Sequence, residues 1–124
     1  MSHQSEHMAS NFDHGFLEEI VALLRPLDPE KVILFGSFVW GEPSESSDID
    51  LFIVKTSEPH KVRGISLDAM RRLRPLIFKY HKGFDVLVDD PSRIRGRIEQ
   101  LNDQFYRMIQ EKGVTLYAKQ DLRP

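Results

Sequence analysis

The apolar positions change period several times along the chain, and each change marks an element. Phe16, Leu17, Ile20, Val21, Leu23 and Leu24 recur at three- and four-residue steps. That spacing predicts an amphipathic helix, capped by Asn11 or Asp13 and closed by Pro26. Leu27 to Lys31 reads as a turn, and Val32 to Phe35 as a short buried strand. Gly36-Ser37 stops that strand, and residues 37 to 40 suit a short helix ending at Gly41. The stretch Gly-Glu-Pro-Ser-Glu-Ser-Ser that follows is a loop by composition, with Ser46 and Ser47 as turn formers or hydrogen-bond donors. A second apolar run, Leu51 to Val54, is opened by Asp48-Ile49-Asp50.

Helical spacing returns from about His60 to Tyr80 through Ile65, Leu67, Met70, Leu73 and Ile77. Ser66 and Asp68 are candidate starts, and Pro75 either kinks or ends the helix. Gly83 to Val88 alternates as a third strand, with Phe84, Val86 and Val88 on one face and Asp85 and Leu87 on the other. Asp90 and Pro91 suit the start of a final helix. Over residues 92 to 112 it carries a single stripe of Ile94, Ile98, Leu101, Phe105, Met108 and Ile109. Gly113 stops it, and Val114 to Tyr117 forms a last strand or an extended tail. A helix joining two strands of one sheet is a crossover, so the class is α/β.

Length and charge narrow the picture. Residues 12 to 124 form one domain, preceded over residues 1 to 11 by a polar leader without periodicity, expected to be disordered. His3 and His7 lie four apart in that leader, with no helix signal around them. The absence of cysteine excludes disulfides, thiolate metal sites and cysteine nucleophiles. No apolar stretch reaches the length of a membrane span and the N-terminus is not a signal peptide, so a cytoplasmic location is expected. The net charge of −2 gives no general case for nucleic-acid binding, but its distribution is uneven. Residues 1–60 carry 3 Lys/Arg against 11 Asp/Glu, and residues 61–124 carry 14 against 8. The basic half would meet phosphates or an acidic partner, or simply form the solvated faces of helices.

The acidic half holds the candidate chemistry. Residues two apart on a strand share a face, so Asp48 and Asp50 would stand side by side at the strand mouth. Adjacent carboxylates repel and are costly to desolvate, which calls for a hard divalent ion such as Mg²⁺. Gly36 permits close backbone approach, and a helix start at Ser37 presents N–H groups to an anion. Each fragment also has a plain reading, since Gly-Ser is a common turn and Asp-x-Asp a common solvated loop. Asp85 is costly inside an apolar strand unless paired. It is either a harmless residue on an exposed edge or a third carboxylate.

Gly36-Ser37, ten residues, Asp48-x-Asp50 and a later acidic strand at Asp85 resemble the nucleotidyltransferases related to DNA polymerase beta. From about Phe16 to Ala118 the short chain is similar to the minimal nucleotidyltransferase (MNT) domain, the antitoxin partner of HEPN-domain toxins. The resemblance implies the polymerase beta-like fold, a small mixed sheet with helices packed on it. It also implies Asp48, Asp50 and Asp85 as catalytic metal ligands for two Mg²⁺ ions, with Gly36 and Ser37 at the phosphates of ATP. The implied reaction transfers AMP to an acceptor hydroxyl, for antitoxin members a tyrosine of the HEPN partner. The sequence departs from the family at one point. Many minimal members carry an arginine soon after Gly-Ser, where this chain has Phe38, Val39 and Trp40. A phosphate contact is then either missing or supplied by Arg71, Arg72 or a partner. The rival reading is a catalytically inactive module of the same fold that neutralises its partner by binding. Trp40 reads as a packing residue, and His60 and His81 as isolated surface residues.

Overall fold

The computed structural model describes residues 14–44 and 46–119. The expected leader and the caps Asn11 and Asp13 lie outside the described residues. The elements run α1 (His14–Leu24), β1 (Lys31–Phe35), α2 (Ser37–Trp40), β2 (Ile49–Val54), α3 (Val62–Tyr80), β3 (Phe84–Asp89), α4 (Pro91–Glu99), α5 (Gln104–Lys112) and β4 (Val114–Ala118). The strands form one sheet in the order β3-β2-β1-β4. β1 pairs antiparallel with β2 and β4, whereas β2 and β3 run parallel. The parallel pair is joined by α3, the crossover that the spacing predicts. This mixed sheet with packed helices bears out the α/β class.

The sheet has a core on each face. On one, Val32, Leu34, Ile49, Leu51, Ile53, Phe84 and Val88 pack against Phe16, Ile20 and Leu24 of α1 and Ala69, Leu73 and Leu76 of α3. On the other, Phe35, Phe52 and Val54 meet Ile98 of α4 and Tyr106 and Ile109 of α5. Because side chains alternate along a strand, the exposed-looking alternation of β3 and the continuous apolar run of β2 both follow from this two-sided burial.

Two expectations need correction and a third is narrowed. α3 begins at Val62 after a 3₁₀ turn over Pro59–Lys61, not at Ser66 or Asp68. Asp68 instead pairs with Arg71 at 3.0 Å. Of the two outcomes open at Pro75, the helix does not end there and continues to Tyr80. The proline is exposed, so the carbonyl it leaves without a donor lies on the solvent side of α3. The expected single helix over 92–112 is two helices separated at Gln100–Asp103. Asn102 adopts the left-handed conformation (φ 52°). Asp103 caps α5 by accepting from Tyr106 N at 3.0 Å, and Arg97 Nη2 pairs with its other oxygen at 2.7 Å. Leu101, Phe105 and Met108 are consequently exposed by 71%, 48% and 39% and are not a core stripe.

The end of β3 is tied down by a polar cluster. Asp89 accepts from Tyr106 Oη at 2.6 Å and from Arg93 Nε at 2.7 Å. Buried Asp90 caps α4 by accepting from Ser92 N at 2.8 Å and also accepts from Ser57 N at 3.0 Å. Among the described residues no helix is long and apolar enough to cross a membrane. The Ser57 N–H, opposed in part by desolvation and joined by the Ser92 N–H, holds the Asp90 carboxyl below its ordinary value of 3.8. A depressed carboxyl stabilises the fold fully above that ordinary value and loses the effect as pH falls through its lowered one. Asp90→Ala should therefore cost about 1–3 kcal/mol at neutral pH, a lost cap plus an unpaired N–H. Urea unfolding as a function of pH should show the gap to wild type narrowing below pH 3.8.

Candidate active site

The turn after β1 requires its glycine. Gly36 sits at φ 84°, ψ −155°, a conformation open essentially to glycine alone. A Cβ there would lie 1.9 Å from Asp50 Oδ2. The carboxylate of Asp50 therefore rests directly on the Gly36 backbone. Beyond the turn, α2 spans Ser37–Trp40 and ends at Gly41, as expected from the sequence.

Asp50 stands opposite Phe35 on β1 and opposite Asp85 on β3. In-register residues of neighbouring strands point to the same face, about 4.8 Å apart along the backbone. Asp50 and Asp85 are therefore neighbours, on the face opposite Ile49 and Leu51. β3 is an edge strand and Asp85 is exposed on it. The edge location and the neighbouring carboxylate hold together. Asp48 precedes β2, with its Oδ1 2.6 Å from where a Cβ on Gly83 would be. Gly83 O accepts from Ile49 N at 2.9 Å, so a second glycine makes room for the second aspartate. Burial pushes the Asp50 carboxyl above its usual range, and the charges of Asp85 and then Asp48 push it further.

Asp85 and Asp48 thus both lie within electrostatic reach of Asp50. Among the described residues no three His, Cys, Asp or Glu side chains converge closely enough to enclose an ion. Mutual repulsion opposes such convergence. The donor set, carboxylate oxygens beside a glycine turn, suits a hard cation with oxygen ligands.

Asp50 and Asp85 line one hollow of about 440 Å³ with Phe35, Gly36, Trp40 and Phe105. The sequence pattern puts Phe105 in the apolar helical stripe, and its place beside the carboxylates follows from the break before α5. Gly83 reads from the sequence only as the start of a strand. Trp40 packs on Phe35 (ring centroids 6.0 Å) while also facing the hollow. Ser44, Ser46 and Ser47 hydrogen-bond to one another, as turn formers do. Arg71 and Arg72 face Asp68 of their own helix, which packs on the other side of the sheet. His60 and His81 are exposed.

A family profile described as polymerase beta, nucleotidyltransferase matches residues 18–122. The chain belongs to the polymerase beta nucleotidyltransferase family. MJ0604 of Methanocaldococcus jannaschii, provisionally named a protein adenylyltransferase, is 32% identical over 88 residues, covering 71% of this chain and 78% of that protein. Two solved structures resemble this nucleotidyltransferase more distantly. One is a mutant MntA–HpeT toxin–antitoxin, 16% identical with a TM-score of 0.47. The other is a toxin–antitoxin with AMP-PNP, 18% identical with a TM-score of 0.48. In both cases 84% of this chain and 74% of the other are covered. The family profile and MJ0604 bear out the resemblance to the nucleotidyltransferases related to DNA polymerase beta that the motif carries.

The glycine contact is directly testable. Gly36→Ala should lower stability by more than about 1 kcal/mol, because it adds backbone strain to a clash with Asp50. In an Asp50→Ala background the clash is gone and the strain remains. A double-mutant cycle by thermal unfolding should therefore show the two substitutions to be less than additive.

Proposed function

We propose that this nucleotidyltransferase moves AMP from ATP to a hydroxyl of a HEPN-domain partner, acting as its antitoxin in the cytoplasm. The observation that carries the reading is the in-register pairing of Asp50 with Asp85 on one sheet face, against the Gly36 turn. Asp48, Asp50 and Asp85 would hold two Mg²⁺ ions, and Gly36 and Ser37 would cradle the β- and γ-phosphates. Such ions, when bound, neutralise the phosphates and stabilise the attacking and leaving oxygens. The acceptor oxygen forms a bond to the α-phosphorus, the bond to the bridging oxygen breaks, and pyrophosphate leaves. The acceptor's proton passes to an Asp85 oxygen. Exposure of Asp85 on an edge strand suits an acceptor presented by another chain.

The similarity to MJ0604 supports AMP as the transferred group. The HEPN partner rests on the resemblance to minimal nucleotidyltransferases. One observation favours the inactive-module reading. Phe38, close after Gly-Ser, is buried in the core, so it contributes packing and no phosphate contact.

Calorimetric titration with ATP and Mg²⁺, paired with transfer of labelled AMP to the partner, separates the two. Asp50→Asn and Asp85→Asn should each lower transfer by about 10²-fold or more, as expected when groups that position charge are lost. The transferase reading falls if the wild type transfers no label while the same variants still neutralise the partner.

A further inference from the structure

Resting on the nucleotide reading above, we infer that Phe105 is the platform on which the nucleobase stacks. Phe105 is 48% exposed, yet its ring is held in place. It meets Phe35 edge-on at 5.8 Å and 78°, and the next residue, Tyr106, is anchored to Asp89 at 2.6 Å. Trp40 contacts the same Phe35 ring at 6.0 Å, so three aromatic rings run from α2 to α5. Phe35 is also the register partner of Asp50, which makes this wall continuous with the carboxylates.

The hollow they share, about 440 Å³, falls within the roughly 300–1,000 Å³ of ligand pockets. Its lining is of two chemical kinds. Asp50 and Asp85 with Gly36 suit a metal-bound phosphate, whereas Phe35, Trp40, Leu87 and Phe105 are apolar and, three of them, aromatic. A nucleotide has the same division, and its base is tethered to phosphates placed at Gly36. The acceptor has another way in, from the exposed edge at Asp85. Among the lining side chains only the Trp40 indole carries an N–H donor. The base is therefore held by its face and not by its edge, and stacking of that kind discriminates poorly between bases.

The test is calorimetry of wild type, Phe105→Ala and Phe105→Trp with the Mg²⁺ complexes of ATP, GTP and inorganic tripolyphosphate. Phe105→Ala should weaken ATP and GTP by a similar factor, about 5- to 150-fold, and leave tripolyphosphate unchanged. Phe105→Trp should retain both nucleotides. Unchanged ATP affinity in Phe105→Ala overturns the inference, and a simultaneous fall in transfer would assign the ring to the acceptor. An equal loss of tripolyphosphate binding also overturns it, because the effect then reaches the phosphate end or the fold. Failure of the wild type to bind either nucleotide or tripolyphosphate sinks the nucleotide reading itself. Normal tripolyphosphate binding with the base ignored sinks only this inference.

Discussion

The parallel register of β2 and β3 is the constraint on which the rest of the structure depends, because it sets Asp50 beside Asp85. Two carboxylates on neighbouring strands repel each other, and a free chain would separate them. Here the backbone ladder and the side chains on the reverse face keep them together. Ile49, Leu51 and Phe84 sit under the carboxylates, all at or below 6% exposure. Burying each such side chain contributes about 1.5–3 kcal/mol, so the three together outweigh the roughly 4 kcal/mol that two charges about 4 Å apart cost each other near a protein surface. The apolar face thus holds the polar face in an arrangement it would not adopt alone. The Asp50 carboxyl is raised by its burial first and then by the charge of Asp85 beside it.

The two glycines extend the same logic to the backbone. Each stands where an aspartate needs room, Gly36 against Asp50 and Gly83 against Asp48. A side chain at either position would push the carboxylate out of place. The left-handed turn at Gly36 carries the further cost of fixing the most flexible residue type. Stability is therefore spent at the mouth of the sheet, and the cores on both faces supply it.

Much of this was legible in the sequence because it depends on period. Alternation assigned Asp85 and Leu87 to one face, and the apolar runs located β1 and β2. The Gly36-Ser37 spacing to Asp48 and Asp50 brought the candidate residues into one neighbourhood. Less legible was the break in the helix expected over residues 92 to 112, which forms two nine-residue helices. Asn102-Asp103 was the available signal, a residue tolerant of the left-handed region followed by a cap. The apolar stripe through Leu101, Phe105 and Met108 concealed it. Those same residues became surface, and one of them reached the site.

The uneven distribution of charge also acquires a structural meaning. Several cations of the basic half are committed to nearby acids. Arg93 pairs with Asp89, Arg97 with Asp103, Arg71 and Arg72 with Asp68, Lys79 with Glu19 and Lys119 with Asp28. These pairs fasten α1, α3, α4 and α5 and leave those cations engaged away from the carboxylates. Asp50 gains no such lowering and is instead pushed up by burial and by its two acidic neighbours. A surface pair with a lysine would have quenched this charge at the expense of its chemistry. A small dication accepts several oxygens at once and can also accept a phosphate oxygen. The electrostatics that make the site costly to fold are therefore those that would make it selective for a metal-bound polyphosphate.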